Sequence, residues 1–121
     1  MSKLTIKLTV TPSLNKLHSN RWQMWNYKKK YLRELRGYEL LALKGKNKMA
    51  VDVTRYGSRM LDQDNFTGGL KPLVDSLKEK GLLVDDSPDW CELFIEQKKC
   101  KRGEEKTVVV IEDYGQYLLG R

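Results

Sequence analysis

The stretch that most constrains the fold is Lys3 to Val10, K-L-T-I-K-L-T-V, in which Leu4, Ile6, Leu8 and Val10 alternate strictly with charged or hydroxyl residues. Successive side chains of an extended chain point to opposite faces, so this period of two specifies a strand with one buried and one wet face. A helix would scatter the four apolar side chains around its circumference. Such a strand must be paired and covered, which commits the start of the chain to a sheet. Thr11-Pro12-Ser13 ends it.

The rest of the chain supplies the partners. Leu14 to Asn26 has no clear period and reads as a long loop, a feature that in small domains is often functional. From about Tyr27 to Leu43 the apolar positions Tyr31, Leu32, Leu35, Tyr38 and Ala42 recur at helical spacing, with Lys28, Lys29, Lys30, Arg33 and Arg36 largely outside that stripe. This predicts an amphipathic helix with a basic outer side, weakened at Gly37. After the basic turn at residues 44–48, Met49, Val51 and Val53 alternate with polar neighbours as a second strand. A second helix is expected from Leu70 to Lys80, with Pro72 in its first turn and Gly81 as its stop. Leu82 to Val84 reads as extended, and Trp90–Gln97 and Thr107–Glu112 as strands joined in a hairpin through Arg102-Gly103. The expectation is an α/β (α+β) fold: one small domain over residues 1–121, a mixed sheet of about four strands with two main helices packed on it. With 121 residues, 40% of them hydrophobic, the chain supports one core.

Several function classes fall away. The longest apolar runs, Leu40–Leu43 and Val108–Ile111, are far short of the ~20 residues a membrane helix needs. The first ten residues lack the apolar core of a secretion signal, so the expected compartment is cytoplasmic. Cys91, Cys100 and the single histidine, His18, are too few for a disulfide framework or a zinc site. The formal charge of +7 conceals a division: residues 1–60 hold 14 Lys/Arg against 3 Asp/Glu, residues 61–121 hold 9 against 13. A basic surface beside concentrated carboxylates suits a protein that holds a polyanion near bound cations, although charged faces are often only solvated.

The acidic half contains the candidate chemistry. If Asp62 and Asp64 lie in an extended segment, their side chains point the same way, about 6 to 7 Å apart. An Asp-x-Asp-Asn string before a helix is, however, more often an N-cap or turn. A helix over residues 70–80 climbs ~16 Å, and an extended return over residues 81–86 covers ~20 Å. That return would bring Asp85 and Asp86 back to the level of Asp62 and Asp64. Carboxylates gathered there with no arginine or histidine call for a cation, and oxygen-only donors point to Mg2+, with Mn2+ able to substitute. Lys71, at the start of the second helix, would sit at the same end, where an ammonium could stabilise charge at a scissile phosphate. Asp75, one turn on, could pair with it and reads as structural.

Taken in order, Asp62-Gln63-Asp64-Asn65, then Leu70-Lys71-Pro72-Leu73-Val74-Asp75-Ser76-Leu77, then Gly81-Leu82-Leu83-Val84-Asp85-Asp86-Ser87-Pro88 resembles the core of the RusA family of Holliday junction resolvases. The first strand and its Thr11-Pro12-Ser13-Leu14-Asn15 turn resemble that family's opening strand and Pro-Ser-x-Asn turn. The resemblance covers nearly the whole chain. It implies a homodimeric, Mg2+-dependent endonuclease that nicks branched DNA such as a four-way junction, with Asp62, Asp64 and Asp86 as the catalytic metal-binding carboxylates and Lys71 as the essential lysine. The segment Phe66–Gly69 is longer than the family's pattern, and Lys71 is aligned by counting back from Asp75. For DNA contact the candidates are Lys16, Arg21, Lys28, Lys29, Lys30 and Arg59, interleaved with Trp22, Trp25, Tyr27 and Tyr31. Aromatic residues near a helix start equally serve as core or interface anchors. The alternatives are a non-catalytic module on the same fold that binds branched or single-stranded DNA, and a flap-type nuclease. The apolar tail Tyr114–Leu119 is expected to pack across a subunit boundary or back onto its own sheet.

Overall fold

A computed structural model describes residues 3–38 and 47–120, as β1 (Lys3–Leu8), α1 (Leu14–His18), α2 (Gln23–Glu34), β2 (Met49–Gly57), α3 (Gln63–Gly68), α4 (Lys71–Glu79), β3 (Cys91–Lys99), β4 (Lys106–Asp113) and α5 (Tyr114–Leu119). The four strands form one mixed sheet in the order β1-β4-β2-β3. β4 runs antiparallel to both β1 and β2, and β2 runs parallel to β3. This is the α+β arrangement expected. No helix among the described residues is long and apolar enough to cross a membrane.

β1 alternates exposed and buried positions along its whole length, with Leu4, Ile6 and Leu8 inward. Register places Ile6 against Val109 and Val109 against Val53, and Leu4 against Ile111 and Ile111 against Val51. The inner face is therefore a set of apolar rows. α2 covers it with Tyr31 and its C-cap Leu35, and α4 with Leu73 and Leu77. Removing a Leu side chain from such a site costs roughly 2–5 kcal/mol.

The expected hairpin between the last two strands is not formed. β4 lies between β1 and β2, while β3 pairs with β2 at the sheet's edge. The apolar run Val108–Ile111 suits this central place, where both edges of the strand are hydrogen-bonded, Val109 and Ile111 face the core and Val108 and Val110 are half-buried on the other face. β3 carries Glu92, Glu96, Lys98 and Lys99, the polar character of an edge strand. The connection between them crosses the end of β2, where the Cys100 N–H donates to the Gly57 carbonyl at 2.9 Å.

Two helical expectations also change. Residues 14–26, read as a loop, hold α1 and the start of α2. α1 is capped by Ser13, whose hydroxyl accepts from the Lys16 N–H at 3.0 Å. α2 starts four residues earlier than predicted and ends at Glu34, with Gly37 at a φ of +95° beyond it. The predicted continuation to Leu43 and the basic turn fall largely on residues 39–46, outside the described residues. α4 ends as predicted. Gly81, at φ +77°, donates to the Lys78 carbonyl, and the Leu82 N–H reaches back to the Leu77 carbonyl, both at 3.0 Å. This paired closure needs a left-handed residue at position 81.

α5 folds back onto the outer face of its own sheet, one of the two fates expected for the tail. Asp113 caps it, accepting from the Gly115 N–H at 2.9 Å. Tyr117 stacks on Phe94 with ring centres 4.9 Å apart.

Candidate functional site

The turn after β1 is held from three directions. Glu34 of α2 accepts from both the N–H and the hydroxyl of Thr9. The Tyr31 hydroxyl donates toward the carbonyls of Thr9 and Val10, at 3.3 and 3.4 Å. Arg55 at the end of β2 donates Nε–H to the Thr11 carbonyl at 2.9 Å, and the Thr11 N–H donates to the Thr107 hydroxyl of β4. Burial pushes the Tyr31 hydroxyl's pKa well up, so it remains a donor. Pro12 and Ser13 therefore launch α1 from a fixed point.

The segment leaving β2 is fixed at the same end. Gln97 of β3 clamps the backbone of Leu61: its side-chain oxygen accepts from the Leu61 N–H and its amide donates to the Leu61 carbonyl, both at 2.9 Å. The next residue, Asp62, is the N-cap of α3 and not part of an extended pair with Asp64. Its Oδ1 accepts from the Asn65 N–H and its Oδ2 from the Asn65 side-chain amide, each at 2.9 Å. These bonds hold its carboxyl below the usual carboxylate range, the Asn65 N–H contributing most. Asp64 follows in the first turn of α3, exposed. The Asn65 side-chain oxygen in turn accepts from the Asn15 N–H of α1 at 2.9 Å. Gly69 closes the joint, since a Cβ there would lie 1.8 Å from the Pro12 carbonyl oxygen. The two halves of the motif, 50 residues apart, thus form one surface.

Lys71 opens α4 just after this joint, largely exposed, and pairs with Asp75 at 3.4 Å as the i, i+4 spacing predicted. Asp86 is placed differently from the expectation. The chain after Gly81 bends repeatedly and is not extended, so it does not climb back along the full length of α4. Asp85 and Asp86 instead meet Lys78 near the C-terminal end of α4, at 3.7 and 3.5 Å. Asp86 also faces the start of β3, where burial first and its carboxylate second push the Cys91 thiol up to about 11. The segments hold no arginine or histidine, and this lysine supplies the positive charge that was expected from a metal ion.

The fit to a divalent cation follows from these contacts. Oxygen donors suit Mg2+, which is commonly held through one or two carboxylates together with waters and substrate phosphates. Asp62 and Asp64 offer such a pair on an exposed helix start. Among the described residues no group of three or more His, Cys, Asp or Glu side chains could hold a metal ion. The three-carboxylate centre expected from Asp62, Asp64 and Asp86 is therefore not assembled in this conformation.

The basic candidates fall into separate settings. Lys16 and Lys30 share a polar hollow of about 270 Å³ with Gln23, Asn26 and Tyr27, next to the Asn15–Asn65 contact. Arg21 lies over the Trp22 ring at 4.8 Å and Lys29 over the Trp25 ring at 4.9 Å. Lys28 is ion-paired with Glu79 at 3.3 Å. Arg59 is exposed, its carbonyl accepting from Arg55 Nη1 at 3.1 Å. Three positioning residues escaped the sequence reading: Glu34, Arg55 and Gln97. Their partners lie 25, 44 and 36 residues away, and nothing in their local sequence marks them.

No family model and no curated protein matches this chain.

Proposed function

We propose that this chain is a metal-dependent, structure-selective DNA endonuclease of the RusA type, which resolves four-way junctions by paired nicks and works as a cytoplasmic homodimer. The observation that carries the reading is the Asn15–Asn65–Asp62 connection. It ties the Pro-Ser-x-Asn turn to the Asp-x-Asp-Asn string, two of the motifs on which the resemblance rests, and it fixes the exposed Asp62 carboxylate, with Asp64 in the first turn of α3, beside α1 and its Lys16.

In this reading Asp62 and Asp64 hold Mg2+, Asp86 joins them on the strength of the resemblance, and Lys71 faces the scissile phosphate. A bound Mg2+ would supply Lewis-acid stabilisation of the phosphate and a more acidic bound water. The chain's own contribution is positioning. Asn65 orients Asp62, Gln97 anchors the strand exit, and Lys16 and Lys30 offer donors for a neighbouring phosphate. A two-fold dimer places one such site on each of two opposing strands, as paired cuts require.

One observation favours a second reading. Asp86 is engaged by Lys78, away from a shared carboxylate cluster, which suits a non-catalytic DNA-binding module on the same fold. Incubating the protein with labelled four-way junction, flap, duplex and single-stranded DNA, with and without Mg2+, separates the two. Mg2+-dependent nicks at the branch support the nuclease; binding without cleavage supports the module.

A further inference from the structure

We infer that the groove between α2 and the C-terminal end of α4 is a track for an unpaired DNA strand, an inference that rests on the reading of the chain as a DNA-acting protein. The groove encloses about 560 Å³, and its walls include Trp25, Lys29, Leu32, Arg33, Arg36 and Lys80. From Trp25 to Arg36 it follows α2 and its exit for about 16 Å, at 1.5 Å per residue.

Charge selects a polyanion. Lys28 and Glu79 also line the groove and neutralise each other at 3.3 Å. Among the described residues, Lys29, Arg33, Arg36 and Lys80 have no acidic partner. These cations recur along the backbone of one helix and the end of another, as contacts to successive phosphates would require.

The aromatic residues select unpaired bases. Trp25 is 56% exposed and Trp22, edge-on to it at 6.5 Å, is 55% exposed. Lys29 occupies one face of the Trp25 ring. An exposed indole flanked by cations is a stacking platform, and stacking needs a base whose face is free, which duplex DNA does not offer. A membrane surface fits less well. An interfacial helix needs a continuous apolar face turned outward, whereas α2 turns Tyr31, and its C-cap Leu35, into the core. The sequence hid the groove because Lys80 lies far along the chain from Arg33 and Arg36.

The test uses the full chain without divalent cation, so that binding is read apart from cleavage. Labelled oligothymidylate and a blunt duplex are titrated by fluorescence anisotropy, with tryptophan emission followed in parallel. Oligothymidylate is expected to quench tryptophan emission, and Trp25→Ala and the double variant Arg33→Ala/Arg36→Ala should each weaken its binding about ten-fold. Trp25→Ala should change duplex affinity less than two-fold. All three side chains are on the surface, and an unchanged thermal midpoint confirms folding. Wild-type affinity for oligothymidylate in Trp25→Ala overturns the inference. So does a variant defect confined to anionic phosphatidylserine vesicles. Failure of the nuclease reading looks different: no nicking on any DNA, with Trp25-dependent oligothymidylate binding intact, removes the nuclease and leaves the track.

Discussion

The Asn15 backbone N–H donates to the Asn65 side-chain oxygen at 2.9 Å, and through the same side chain's amide it is linked to the Asp62 carboxylate. A strand-exit turn and a helix cap, 50 residues apart, are thereby one unit. Asn65→Ala removes both side-chain bonds while keeping the backbone N–H that donates to the Asp62 cap. It should cost about 1–2 kcal/mol in denaturant unfolding, and cleavage should fall further than stability accounts for. Asn65→Asp, which keeps an acceptor for Asn15 but sets a second carboxylate against Asp62, should lose cleavage as well.

Gly69 should tolerate no side chain. A Cβ there would overlap the Pro12 carbonyl oxygen, which is backbone and cannot swing aside. Gly69→Ala should destabilise the fold by about 2–4 kcal/mol. Gly103→Ala is the control: its Cβ meets nothing within 4 Å, so only the strain of its φ of +94° applies, about 1 kcal/mol. Urea midpoints of the two variants compare them directly.

The Asp62 cap carries a pH signature. Its folded pKa lies below the unfolded value because Asn65 donates to the ionised form, so the stability it adds is present above the unfolded value and lost as pH falls through the folded one. Wild type should be more stable than Asp62→Asn at neutral pH, and the gap should close below about pH 4. A constant gap from pH 7 to pH 2 would show that ionisation of Asp62 adds nothing to the fold.

DNA affinity should fall steeply with salt, because each phosphate neutralised by the basic helices releases counterions. Lys16→Ala and Lys30→Ala, which share one hollow, should each reduce the slope of log K against log salt by about 1. Lys28→Ala should do less, since Glu79 already occupies that ammonium. Binding isotherms across a salt series measure all three.

The sequence was most informative where local pattern and tertiary demand agree. The alternation through Leu4, Ile6 and Leu8 appears as a strand with those residues inward, and Gly81 stops α4 as read. It misled where long-range pairing decides. Nothing local to Cys91–Lys99 or Lys106–Asp113 reveals that β4 inserts between β1 and β2 and leaves β3 at the edge. The capping role of Asp62 was legible as the commoner fate of an Asp-x-Asp-Asn string. The location of Asp86 was not, because nothing local to residues 81–86 shows that the chain bends beside Lys78 instead of running extended. Ser13 was a readable cap for α1, but the aperiodic residues after it concealed a helix of five residues.

If Asp62 and Asp64 form the working end of a nuclease, the nicking of a labelled four-way junction in Mg2+ depends on both. Wild-type protein should introduce paired nicks near the branch, and none in chelator. Asp64→Asn, at an exposed position outside the core, should fold normally, bind the junction as tightly or more tightly, and cleave at least a hundred-fold more slowly. Asp86→Asn should show the same loss if the third carboxylate joins the site. Junction cleavage by Asp64→Asn at the wild-type rate would show that Asp64 takes no part in the reaction and that the Mg2+ site lies elsewhere.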